Sequence, residues 1–411
     1  MKKTIFTGFS PNTRAKDMTI ATSFLLFPWK LFQWKQGPNQ QRAVDLIESY
    51  FGDSTNALTY DSGRSALYHA LLALDVGEGD EVLVQAFTCM VVINAIRWTG
   101  ATPVYVDIEK NTLNMDLAKA ESACTPKTKV LIIQHTFGLP ADIEGLIAVA
   151  KKHNVKTIED CAHSLGARYK GQLTGSFADI GMLSFGGEKV ISCVRGGALI
   201  TKDTTLFDAL QKRHDTLSQS TRRVIRQHLL HVVLFPIGKS LYHLGIGKIF
   251  LKLLKELHIT NKIIYPEEKN GKQVAWYPSQ LPNALAALLI HQFPHIEAMN
   301  AHRKHIATLY KKQCKETTDI QTETDEHIYL RFTLFVDNPK KIRMIAKKQG
   351  VMLGDWYSLV IGPGDVDLDA AKYTKGMCPV AEERASKALN LPTDIHIQDS
   401  DVTRILAACN E

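Results

Sequence analysis

The sequence predicts an α/β fold: a mostly parallel sheet in a large domain, followed by a smaller α+β domain at the C-terminal end. Two observations carry this expectation. Between about 55 and 205, short apolar runs without alternation are separated by stretches of helical period, the pattern of strands covered on both faces. After 283 the pattern changes to a long helical period, then one alternating strand, then another helix. The 411-residue chain is long enough for two lobes.

Taken in order, 65–74 reads as an amphipathic helix with Leu67, Leu71 and Leu74 on one side. The turn Gly77-Glu78-Gly79-Asp80 leads into a strand over 81–84. A helix over 90–98, strands over 102–107 and 129–133, a helix over 143–153 and a strand over 156–160 follow. Residues 206–275 break the alternation. Arg222, Arg223, Arg226, Lys248, Lys252 and Lys255 are interleaved with apolar residues, and Pro236, Gly245 and Gly247 divide the stretch. It reads either as a helical insertion packed on the main domain or on a second subunit, or as an interfacial segment, 222–257, lying on anionic lipid at the inner membrane face. Charges and Pro236 interrupt it too often for a span. Beyond it, a helical pattern runs from Leu285 through Phe293 to Tyr310, 329–336 alternates as a half-buried strand, and 340–349 is a helix ended by Gly350. The expected organisation is an N-terminal arm over 1–50, a large domain over 51–205, the insertion over 206–275, and a long helix with the small domain over 276–411.

The composition is that of an ordinary globular protein. None of the seven cysteines forms a CxxC pair, so neither a zinc site nor a disulfide framework is indicated, and isolated thiols fit a reducing cytoplasm. Met1-Lys2-Lys3-Thr4-Ile5-Phe6 lacks a continuous apolar run, so no signal peptide is expected. A net charge of +7 without a single basic block argues against nucleic acid. His291/His295 and His302/His305 share helical faces, but no carboxylate or cysteine stands at ligand spacing, and no metal is expected.

Three segments carry chemistry. Lys189 sits in a glycine-containing turn between a strand ending at Ser184 and the pair Gly196-Gly197 that opens another strand. A lysine held there can be desolvated, which favours the neutral amine that condenses with a carbonyl. Tyr60-Asp61-Ser62-Gly63-Arg64-Ser65 is a Ser-Gly turn opening directly into a helix, either a phosphate cradle or a plain N-cap. Glu159-Asp160 ends a buried strand and is followed by His163. Carboxylates there are costly unless paired. One of them could keep a pyridine nitrogen protonated with His163 capping it, or the segment is an ordinary strand-end turn.

In this order, together with Phe87-Thr88, Gly100-Ala101-Thr102-Pro103-Val104, His135-Thr136-Phe137-Gly138 and Pro379-Val380-Ala381-Glu382, the chain resembles the DegT-type nucleotide-sugar aminotransferases, a branch of the fold-type-I pyridoxal phosphate enzymes. The resemblance covers 38–205 closely and 275–411 more loosely. It implies a fold-type-I architecture and pyridoxal 5'-phosphate as cofactor. Lys189 would hold the cofactor covalently and move the proton, and Asp160 would face the pyridine nitrogen with His163 beside it. Ser184, Gly63, Arg64 and Ser65 would bind the phosphate. It further implies glutamate as amino donor, a nucleotide-linked keto-deoxysugar of surface-polysaccharide or related biosynthesis as acceptor, and a cytoplasmic homodimer with active sites at the subunit interface.

Three positions depart from the family pattern. Cys89 stands where an aromatic ring usually covers the cofactor. Trp276-Tyr277-Pro278-Ser279-Gln280 lacks the asparagine and arginine of the segment that reaches the partner's site. Arg195 precedes Gly196, to bind a donor carboxylate or to form a structural ion pair. The same hardware also serves elimination or dehydration, and a non-catalytic, cofactor-binding regulator at the membrane is a reading from another class. Leu353-Gly354-Asp355-Trp356-Tyr357 reads as a turn with packed aromatics, or as a segment reaching the substrate.

Overall fold

The computed structural model describes residues 3–8, 12–260, 262, 264–315, 317–322 and 324–409; Met1 and Lys2, the start of the segment read for a leader, lie outside them. Seven strands form the central sheet: β1 (Asn56–Tyr60), β2 (Glu81–Gln85), β3 (Thr102–Val106), β4 (Thr128–Gln134), β5 (Lys156–Asp160), β6 (Ile180–Ser184) and β7 (Gly197–Thr201). Their order is β1-β7-β6-β5-β4-β2-β3. Every neighbouring pair is parallel except those of β7, which runs against both β6 and β1. The reversal has a local cause. The connection from β6 to β7, the loop 185–196, contains no crossover helix, and the chain returns antiparallel.

That reversal builds one edge of the molecule. Gly197, at the start of β7, is in register with Ser184 at the end of β6 and with Tyr60 at the end of β1. The carboxyl ends of three strands and the amino end of a fourth therefore converge, with Asp160 closing β5 beside them. Ligands of open α/β sheets gather at such an edge.

Helices labelled here are α1 (Ala15–Leu26), α2 (Pro38–Phe51), α3 (Gly63–Ala73), α4 (Met90–Arg97), α5 (Arg222–Ser240), α6 (Ile246–Glu256), α7 (Asn283–Gln292) and α8 (Ile296–Gln313). The sheet is covered on both faces, which explains strands that are apolar without alternation. Met182 belongs to the same apolar cluster as Leu67 and Leu71 of α3, whereas the next residue, Leu183, belongs to a second cluster with Ile47 of α2 and Leu285 and Leu289 of α7. Leu67 and Leu71 are fully buried, each stabilising the fold by about 1.5–3 kcal/mol.

Three expectations change. The helical pattern through Phe293 is two helices, because Pro294 in the turn Phe293–His295 has no N–H to continue the ladder. Pro236 lies inside α5 and does not end it. Burial of Ile225, Leu229 and Val232 in the same core as Ala21 and Phe24 of α1 outweighs the local penalty. The strand in 329–336 is Phe332–Phe335, and all four residues are buried, since α8 and the helix Asp399–Cys409 share one apolar cluster with it. No described helix is long and apolar enough to cross a membrane.

Candidate active site

Ser62 caps α3, its hydroxyl accepting from the Ser65 N–H at 3.3 Å. Ser62, Gly63 and Arg64 line a pocket at the convergent sheet edge. Two glycines are needed here for space. A Cβ on Gly63 would lie 2.9 Å from the Ser184 Cβ, and one on Gly197 would lie 2.5 Å from the Gly63 nitrogen. The Ser184 side chain thus stands against the helix N-terminus, where N–H groups and the helix dipole favour an anion.

Not all of the expected phosphate turn faces the pocket. The Ser65 hydroxyl is turned back, 2.9 Å from the Ser62 hydroxyl and bonded to buried Asp61, so it braces the turn. The Arg64 guanidinium pairs with Glu268, a buried carboxylate in the helix Pro266–Lys269.

The two carboxylates ending β5 separate by strand alternation. Glu159 accepts from Gly175 N–H at 2.7 Å, Phe177 N–H at 2.8 Å and Ala178 N–H at 3.1 Å, and meets His135 Nε2 at 3.1 Å. It pins the loop before β6. Asp160 instead lines the pocket, accepting from Ala162 N–H at 2.9 Å. Burial raises its pKa, opposed by that N–H, by Lys189 and by His135. A cation brought to it, such as a protonated ring nitrogen, would favour the carboxylate.

His163 does not cap Asp160. Its Nδ1 accepts from Phe137 N–H at 3.4 Å, and its ring is stacked with those of Phe137 and Trp356, with centroids 5.7 and 5.6 Å away. Burial first, then Lys189 and Arg331, hold its pKa well below the ordinary value, so it is neutral.

Lys189 is held by its main chain. Asn12 Nδ2 donates to the Lys189 carbonyl at 2.6 Å and to that of Val190 at 2.9 Å, and Arg303 Nη2 donates to Val190 O at 3.0 Å. The amine projects into the pocket, 4.8 Å from the centre of the Trp356 ring. Burial lowers its pKa, with Cys89, Asp160 and Glu188 opposing. The neutral amine inferred from its sequence setting is the form this environment favours.

Cys89 lies in the same pocket, its thiol pushed up by burial. The ring that it lacks has a counterpart. Thr88 and Cys89 pair in parallel with Ile361 and Gly362, which brings the preceding segment across from the small lobe and sets Trp356 and Tyr357 into the pocket wall. The Leu353–Tyr357 motif carried two readings in the sequence, packed aromatics and a segment reaching the substrate, and its two aromatic rings stand in the pocket wall. Arg195 also lines the pocket, with its guanidinium 4.6 Å from the Trp276 ring and 4.8 Å from that of Tyr277. Its Nε faces Asp61 at 3.8 Å, and its Nη2 has no hydrogen-bond partner among the described residues. Asp61 stands out in the sequence only as part of the phosphate-turn motif, and Gln134, Glu268 and Arg331 carry no sequence signal.

The sequence profile described as the DegT/DnrJ/EryC1/StrS aminotransferase family matches residues 30–236 and 255–410. The chain belongs to this family. The aminotransferase is 30% identical over 372 residues, 89% of its length and 87% of the relative's, to a UDP-N-acetyl-3-dehydro-alpha-D-glucosamine 3-aminotransferase of Acidithiobacillus ferrooxidans. It is 27% identical, over 90% of its own chain and 89% of the other, to a GDP-perosamine synthase of Escherichia coli O157:H7. Its fold matches the crystal structure of DesV from S. venezuelae with a TM-score of 0.72, 23% identity and coverage of 96% and 93% of the two chains.

It is accordingly a pyridoxal phosphate-dependent aminotransferase. The residues present fit that cofactor. A helix N-terminus with no room for a Cβ at Gly63 suits the phosphate, a buried carboxylate the ring nitrogen, and an amine that burial shifts toward its neutral form the aldehyde.

Proposed function

We propose that this aminotransferase moves the amino group of glutamate to a nucleotide-linked keto-deoxysugar, in surface-polysaccharide or related sugar biosynthesis. The carrying observation is the juxtaposition, in one buried pocket, of the Lys189 amine, the Asp160 carboxylate and the Ser62-Gly63-Arg64 turn. Relatives that act on UDP- and GDP-linked sugars support the acceptor class.

When bound, pyridoxal phosphate supplies an aldehyde and an electron-withdrawing ring. Lys189 Nζ holds the aldehyde and moves the proton at the donor's Cα. Asp160 holds the proton at the ring nitrogen. The N–H groups of the Ser62–Arg64 turn and the Ser184 hydroxyl bind the phosphate. His163 and Trp356 supply flat neutral surfaces against the ring and exclude water, so that Cys89 need not stack. Arg195, which lines the pocket and whose buried Nη2 has no hydrogen-bond partner among the described residues, binds the donor's carboxylate.

The reading includes a homodimer in the cytoplasm, attached peripherally to the inner membrane face. Sedimentation of the purified protein checks the dimer. The decisive experiment incubates the protein with pyridoxal phosphate, glutamate and a panel of UDP- and GDP-linked ketosugars. One 2-oxoglutarate per aminosugar supports transamination; dehydrated sugar without 2-oxoglutarate would establish elimination instead. Borohydride trapping followed by peptide mapping should find the cofactor on Lys189.

A further inference from the structure

The catalytic pocket leaves unused the most amphipathic part of the chain. Helix α6 packs against α5 through Gly247, Leu251 and Leu254, and Gly238 of α5 leaves room for Leu251, since a Cβ there would come 2.5 Å from that side chain. A separate side of the helix carries Ile246, Ile249, Leu253 and Leu257, exposed by 62, 63, 48 and 66%. Steps of three and four residues place them in one stripe. A stripe of this kind on an otherwise water-facing helix requires a partner.

A second apolar group belongs to the same helical layer. Leu26, Trp29 and Phe32, at and beyond the end of α1, are exposed by 70, 64 and 82%. Thr13, just before α1, shares a cavity with Phe235 and Lys239 near the end of α5, so the two helices run antiparallel and Leu26 lies toward the start of α5. Leu257 lies at that end too, because Gln227 Nε2 donates to the carbonyl of the adjacent His258 at 2.7 Å. One end of the α6 stripe, at Leu257, therefore lies at the same end of the layer as Leu26.

Charge decides between partners. Residues 14–35 and 222–257 hold eleven basic side chains against only Asp17 and Glu256, a surplus larger than the +7 of the whole chain. Arg222, Arg223, Arg226, Lys248, Lys252 and Lys255 are exposed. A two-fold contact would turn this layer against itself and bring these cations together. An anionic bilayer complements both features at once, taking the apolar stripe at the acyl boundary and the cations at the headgroups.

We infer that α6, with the apolar end of α1, docks on the surface of an anionic membrane. The enzyme is a peripheral protein whose catalytic pocket stays in water. This surface does not depend on the substrate assignment, since its residues lie outside the pocket.

The test is flotation of the cofactor-loaded, full-length enzyme with vesicles of phosphatidylcholine, with and without phosphatidylglycerol. The enzyme should float with the mixed vesicles, remain behind with phosphatidylcholine alone, and be released as salt is raised. An Ile249→Glu/Leu253→Glu variant should partition about tenfold less or worse, given the apolar area withdrawn, while keeping its turnover and sedimentation coefficient. Lys248→Glu/Lys252→Glu should weaken binding about tenfold, most strongly at low salt. Failure to float with anionic vesicles, or equal flotation with neutral ones, would overturn the inference. So would an Ile249→Glu/Leu253→Glu variant that sediments as a smaller species, since the stripe would then be a contact between copies.

Discussion

The Lys189 amine lies 4.8 Å from the centre of the Trp356 indole, although the two residues belong to different lobes. The contact couples the reactive nitrogen to the position of the small lobe. Lys189 is anchored from the large lobe by Asn12 and by the turn after β6, whereas Trp356 is brought in by the pairing of Ile361–Gly362 with Thr88–Cys89.

Trp356→Ala should lower kcat/KM about tenfold, because it removes a flat aromatic surface from the pocket wall, and an aromatic stacking contact is worth about 0.5–1.5 kcal/mol. Trp356→Phe should recover most of the loss. Steady-state kinetics with a fixed ketosugar check this, and full activity of Trp356→Ala would show that the ring is only packing.

Lys189→Met separates stability from function. Turnover should fall by roughly 10²–10⁴-fold. The melting temperature of the cofactor-free protein should rise, since the variant removes an amine that burial disfavours in its charged form. Between the lowered folded pKa and the ordinary 10.5, the unfolded chain binds the proton more strongly. The stability advantage of the variant should accordingly shrink as pH rises toward 10.5. Calorimetry of both proteins across that range is the measurement.

Gly197→Ala should weaken pyridoxal phosphate binding about tenfold. The new methyl would lie 2.5 Å from the Gly63 nitrogen and 2.5 Å from the Ser62 carbonyl carbon, both backbone atoms that cannot rotate away. Cofactor titration followed by absorbance reads the change. Unaltered affinity would place the phosphate elsewhere.

Arg195→Met should raise KM for glutamate about tenfold or more with little effect on the ketosugar KM, since a hydrogen bond to a charged group is worth about 1.5–3 kcal/mol. Arg195→Lys should restore part of it. If both KM values hold and only the melting temperature falls, the Asp61 pair at 3.8 Å is the whole role of this arginine.

Acid should destabilise the fold through histidines buried as neutral rings. Burial takes His228 and His327 down to about 3 and His69 to about 4. Their folded pKa values are depressed, so the unfolded chain takes up protons from the ordinary 6.5 downward while the folded chain refuses them. Stability is retained above 6.5 and lost as pH falls toward 4, by up to about 1.4 kcal/mol per pH unit for each histidine. Urea midpoints should fall over that window, and His228→Leu should flatten the slope. A midpoint independent of pH would refute the assignment.

The sequence by itself determined the sheet, because strands covered on both faces must be apolar throughout and helices between parallel strands must be amphipathic. It also singled out Asp160 and the Ser62-Gly63 turn, each at the end of an element, and Lys189, whose loop is then held by Asn12 and Arg303. The tertiary structure decided what no local pattern encodes. Trp356 meets Lys189 through a short pairing between lobes, Glu268 reaches Arg64 from a distant helix, and His163 turns from Asp160 toward Phe137 and Trp356. Side-chain partners are chosen by contacts distant in sequence, and these leave no periodicity in the chain that makes them.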